Sequence, residues 1–190
     1  MSKISKVSKF IKAWLLFLAA LQLSVYLILF LFGTTTGSAS EVSLNYLGMS
    51  SSFNIEFSNT WQDIAQALAE DGFNAVVILG SVESIPYLLI YYFLYQLFSL
   101  YQQGVIFTEK NINYIKNVGL VLFAWIAMNI VYPVLVVLVL RLSGASDSLP
   151  IIVNIGSTEL GYFLCGAIIY VIAWIMKEAL TLQQEQELVI

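Results

Sequence analysis

The chain has 190 residues, 59% of them hydrophobic, with a mean hydropathy of +0.85 and a formal net charge of −4. That composition leaves little chain for a separate soluble core. There is no histidine and a single cysteine, Cys165, so a disulfide within one chain is impossible, and neither metal ligation by Cys or His nor any other cofactor is expected.

Four apolar runs, about residues 13–32, 75–101, 118–142 and 160–176, are each near or above the roughly 18 residues that cross a bilayer as a helix. The first is preceded by Lys3, Lys6, Lys9 and Lys12, and by the positive-inside rule that end is cytoplasmic. A competing reading is a secretory signal peptide cut at Ser38-Ala39-Ser40, but an apolar core of about 20 residues is too long for a typical signal.

From Gly33 to Asn74 the chain carries Glu41, Glu56, Asp63, Glu70 and Asp71 and no Lys or Arg, as an external segment should. Val42, Leu44 and Tyr46 alternate with polar residues, as do Phe53, Ile55 and Phe57. With a turn at Gly48–Ser51 this predicts a β-hairpin. Trp61, Ile64, Ala65 and Leu68 then fall at helical spacing, and Thr60 with Asp63 resembles a capping box, so a short amphipathic helix ending near Gly72 follows. The simplest role for this cap, residues 33–74, is a lid over the outer ends of the spans. The sharper one is a ligand-sensing surface.

The second run contains Glu83. Counting back from an inner end near Tyr101 at about 1.5 Å per residue puts it roughly 27 Å away, near the outer interface. Arg141 ends the third run on that side and Glu159 begins the fourth, which predicts an outer-leaflet ion pair of Arg141 with Glu83 or Glu159. Its plain role is to hold helix ends in register. A proton or ion relay would need a second carboxylate deep in the bundle, and the span middles offer only Gln22, Gln96, Asn129 and hydroxyls. Pro86 should kink the second helix.

The next segment, 102–117, carries Lys110 and Lys116 and reads as internal. Gly104 should stop the second helix, and Thr108 is a good N-cap for the third. At the fourth run Ser157, Gly161 and Cys165 recur every four residues, a small-residue face suited to packing within the chain or to a homodimer. The tail, 177–190, continues that helix from Lys177 into the cytoplasm. The expected fold is an all-α membrane protein: a four-transmembrane-helix bundle, one integral membrane domain, with N- and C-termini cytoplasmic. A small extracytoplasmic β-hairpin plus amphipathic helix lies between spans 1 and 2.

Gly104, Phe107, Thr108 and Asn111 form a Gly-x-x-Phe-(Ser/Thr)-x-x-Asn loop, and the chain ends Glu185-Gln186-Glu187-Leu188-Val189-Ile190. In these features it resembles the YoaS-like family of small bacterial four-span membrane proteins of unknown function. That family's tail reads Glu-Glu-Asn-(Asp/Glu)-Leu-(Thr)-hydrophobic; here Gln replaces one Glu, the Asn is absent and Val stands for Thr. The resemblance covers the C-terminal half and the four-helix plan and leaves out the outer hairpin.

Such proteins are often encoded beside a small Cro-like helix-turn-helix regulator. The resemblance therefore implies a multi-pass protein of the bacterial cytoplasmic (inner) membrane that acts as a regulatory or sensing partner of a cytosolic helix-turn-helix transcription factor. Its contact surface would be Gly104, Phe107, Thr108, Asn111, Lys177, Glu185, Glu187 and Leu188. The chain has no basic recognition helix of its own, so direct nucleic-acid binding is not expected. The alternative is a small transporter or immunity-type membrane protein handling an apolar or peptide compound, to which a broken helix would speak. A purely structural assembly subunit is a third reading. No nucleophile and base, metal set or carboxylate pair is placed together, so an enzyme is not expected.

Overall fold

The computed structural model describes residues 3–35, 41–46, 49–54, 59–144 and 156–188. They form helices α1 (Lys3–Phe32), α2 (Asn59–Glu70), α3 (Ser81–Gln102), α4 (Glu109–Leu142) and α5 (Ser157–Leu188), and strands β1 (Gly33–Thr35), β2 (Glu41–Tyr46) and β3 (Met49–Asn54). A π-helical turn, Val76–Gly80, leads into α3.

Four of these helices, α1, α3, α4 and α5, are long and apolar enough to cross a membrane. Phe10 and Trp174 are 72% and 62% exposed, while Ser5, Ser8, Ser84, Asn111, Asn129 and Glu159 are buried. That distribution suits lipid, which solvates carbon and leaves small and polar groups to make the helix contacts. Within α5, Glu159, Tyr162, Gly166, Ile169, Ala173 and Met176, spaced three and four apart, are buried or half-buried, whereas Leu164, Ile168, Val171 and Ile175 are exposed. The helices outrun the apolar runs because backbone hydrogen bonding continues into polar flanks. Thus α1 starts at Lys3, α4 at Glu109, and α5 reaches Leu188.

The chain divides into two compact units, one of Leu21–Ile85 and Ile126–Leu160, the other of Met1–Ala20, Pro86–Trp125 and Gly161–Ile190. In the first, β1, β2 and β3 form an antiparallel sheet in that order. Its registers run from Gly33↔Leu44 to Thr35↔Val42 and from Glu41↔Asn54 to Tyr46↔Met49. The turn expected at Gly48–Ser51 is displaced, because the ladder continues to Met49 and residues 49–51 pair instead. Gly48, Ile55, Phe57, the Ser38-Ala39-Ser40 segment and Val189-Ile190 lie outside the described residues.

Helix α2 buries Trp61, Ile64, Ala65 and Leu68 completely, against Ala75, Leu79 and Val137. Its apolar positions recur at i, i+3, i+4 and i+7, one stripe of a helix. It begins at Asn59, so Thr60, expected as its cap, is already helical. It stops where Gly72 takes φ +82°, with Phe73 N–H donating to Leu68 C=O at 2.8 Å and Gly72 N–H to Ala69 C=O at 3.1 Å. This paired closure uses the left-handed conformation glycine adopts freely. Asn74 Oδ1 accepts the Val77 N–H at 3.2 Å and caps the next helical segment.

In α4, Pro133 has no N–H to give the carbonyl of Asn129. The Trp61 indole Nε1–H donates to that carbonyl instead, at 3.2 Å. The Tyr132 ring lies 5.6 Å from that of Trp61, and its hydroxyl donates to Ile78 C=O in the π-helical turn at 2.6 Å.

In the second unit α4 and α5 approach backbone to backbone: a Cβ on Gly119 would stand 3.0 Å from Gly166 O and 3.2 Å from Tyr170 N. Beside this contact Trp125 packs edge-on to Tyr87 and Tyr162, at ring distances of 5.4 and 6.2 Å, and the two tyrosine hydroxyls are 3.3 Å apart.

Candidate functional site

The loop between α3 and α4 is held at both ends. Gly104, at φ +82°, closes α3: its N–H donates to Tyr101 C=O and the Val105 N–H to Leu100 C=O, each at 3.1 Å. On the first turn of α4, fully buried Asn111 donates from Nδ2 to the carbonyls of Val105 at 2.8 Å and Ile106 at 2.7 Å. Two of the four signature residues are therefore architectural. Between these anchors Phe107 is 69% exposed.

Thr108 occupies the cap position, since its carbonyl accepts the Ile112 N–H at 3.2 Å. The hydroxyl bond expected of a cap is not made: Thr108 Oγ1 is buried without a hydrogen-bond partner among the described residues. Lys177 of α5 joins Glu109, Ile112 and Asn113 around a cavity of about 140 Å³. Glu185 is exposed near the end of α5, and the side chains of Glu187 and Leu188 lie outside the described ones. The structure thus brings Lys177 to the start of α4.

The proposed ion-pair residues lie in the other unit. Glu159 is 2% exposed, and its Oε2 accepts the Gly156 N–H at 2.8 Å. That is the returning half of a capping box at the start of α5, a role the spacing of Gly156 and Glu159 could have signalled. Glu83 is half-buried and interacts electrostatically with Tyr26 of α1, and Arg141 is exposed. Among the described residues no cluster of three or more His, Cys, Asp or Glu could hold a metal ion.

Over residues 13–190 the sequence matches the family described as "Protein of unknown function (DUF2975)". The chain belongs to this family. No curated protein and no solved structure matches it. The DUF2975 match runs through residues 33–74.

In this DUF2975 protein Ser157, Gly161 and Cys165 are exposed, and a Cβ on Gly161 would meet nothing within 4 Å. Among the described residues nothing packs closely against Gly161 on that face. The contact runs through Gly166, one residue beyond Cys165 and so about 100° further around the helix. The Gly119–Gly166 approach and the Trp61–Asn129 bond were not anticipated from sequence, although Pro133 four residues after Asn129 was a usable sign.

Proposed function

We propose that this DUF2975 protein is a non-enzymatic protein of the bacterial inner membrane, with both termini cytoplasmic, that docks a cytosolic helix-turn-helix regulator on its α3–α4 loop. The observation that carries the reading is Phe107, 69% exposed on a loop anchored by Gly104 and Asn111. Interfaces draw their energy from a few rigid aromatic anchors, with charged groups at the rim such as Glu109 and Lys177. The orientation is supported by charge. All seven lysines fall in the unit that holds this loop, while Arg141 and eight of the twelve acidic residues fall in the other. In the same reading residues 33–74 form the external sensing segment.

Co-expression with a small helix-turn-helix protein encoded in the neighbouring genes, followed by a pull-down from detergent extract, tests the proposal, and the absence of such a neighbour would count against it. Phe107→Ala should lower recovery of the regulator about tenfold at an unchanged membrane level, the scale of losing one interface anchor. Undiminished recovery would contradict it.

A second reading, a small transporter or immunity-type protein, has one observation in its favour. A cavity of about 260 Å³ lies beside Pro133 inside α4, lined by Ile78, Tyr132, Leu135, Val136, Val139 and Leu140. Loss of flux or resistance in Glu83→Gln, at normal expression, would favour it. The outward face of Ser157, Gly161 and Cys165 is proposed as the contact of a homodimer.

A further inference from the structure

Helices α1 and α3 leave a cavity of about 370 Å³ between them, with Leu15 and Ala19 on one wall and Leu88, Tyr92, Tyr95 and Gln96 on the other. Tyr92 is half exposed, so the cavity is an open groove in the part of the chain that lipid surrounds. One turn before Leu15, the Lys12 ammonium lies 4.6 Å from the centre of the Tyr95 ring and donates to Gln102 Oε1 at 3.2 Å. Tyr95 both lines the groove and carries the cation, which puts the charge at the groove's mouth. Among the described residues Lys12 has these two polar partners, and both are uncharged.

From this we infer that the groove binds an anionic phospholipid, one acyl chain lying between α1 and α3 and the phosphate meeting Lys12. An ammonium held partly out of water without a counter-ion favours an anion, and a phosphate oxygen makes a charge-assisted hydrogen bond that Gln102 and a ring face cannot equal. The groove selects for carbon. At about 30 Å³ per methylene, taken as the share of one water molecule, it accepts on the order of a dozen methylenes, most of one chain. A free inorganic anion would leave that apolar volume unfilled. Lys9, one turn earlier, is exposed and marks the difference between this site and the general positive charge of the N-terminus.

Native mass spectrometry of the delipidated full chain, titrated with phosphatidylglycerol and with phosphatidylcholine of identical chains, tests the inference. The wild type should bind the anionic lipid about tenfold more tightly, and Lys12→Gln should bring the two within about twofold, whereas Lys9→Gln should keep most of the preference. Ala19→Phe, which fills the groove, should weaken both lipids, and glycerol phosphate without acyl chains should not compete. The inference is overturned by equal binding of the two lipids to the wild type, by equal effects of Lys9→Gln and Lys12→Gln, by undiminished binding to Ala19→Phe, or by displacement with glycerol phosphate. Should Lys12→Gln not accumulate, the wild-type lipid ratio and Ala19→Phe decide.

Discussion

The indole Nε1 of Trp61 lies 3.2 Å from the backbone oxygen of Asn129, and Pro133 stands one turn further along α4. The proline leaves that oxygen without its helical donor, and α2 supplies one from outside the helix. Trp61 and Asn129 are both buried, so water is not available as a substitute. Trp61 thereby ties the short helix to a span.

Trp61→Phe keeps most of the ring and removes the donor, and should destabilise the protein by about 1 kcal/mol. Pro133→Ala returns an N–H to the helix, so Trp61→Phe should cost less in that background. A double-mutant cycle on unfolding in detergent checks this, and equal costs in both backgrounds would count against the account.

Gly119 and Gly161 offer a matched comparison. Gly119→Val forces side-chain atoms against the α5 backbone and should cost about 1–3 kcal/mol. Gly161→Val meets open space and should leave monomer stability unchanged while weakening oxidative cross-linking of two chains through Cys165, the sole cysteine. Cross-linking that is absent from the wild type, or indifferent to Gly161→Val, would remove the dimer from the picture.

Glu159→Ala deletes the acceptor of the Gly156 N–H and should cost about 1 kcal/mol, whereas Glu159→Gln keeps an acceptor oxygen and should cost less. Thermal unfolding of the two variants separates the cap from a purely ionic role, in which both would lose alike.

The four spans were legible because their apolar runs are near or above the length that crosses a bilayer as a helix, and the buried stripe of α2 was legible because Trp61, Ile64, Ala65 and Leu68 are apolar on one side only. Which face of a span packs was not. Lipid accepts apolar residues all round, so only small and polar groups mark the contact, and Gly161 fits that description as well as Gly166 does. The α3–α4 loop was half legible: Gly104 reads as a helix stop from the sequence and closes α3, but the role of Asn111, marked there only by the family resemblance, as carbonyl clamp appears only once Val105 and Ile106 turn back toward α4. Strand β1 and the early start of β3 escaped the alternation pattern, since Gly33-Thr34-Thr35 and Met49-Ser50-Ser51 carry none of it.

Asn111→Ala leaves the carbonyls of Val105 and Ile106 without their buried donor and should cost about 1–3 kcal/mol. Faster hydrogen exchange should appear across residues 103–108. Phe107→Ala, at an exposed site, should leave both stability and exchange unchanged. If the two variants behaved alike, the division between anchor and contact residue would be wrong.

The orientation that puts Phe107 in the cytoplasm is tested most directly by single cysteines in a Cys165→Ala background, labelled on intact cells with a membrane-impermeant maleimide. Glu70→Cys, at an exposed position of α2, should react at once, and Phe107→Cys only after the membrane is permeabilised. Labelling of Phe107→Cys on intact cells would contradict the account.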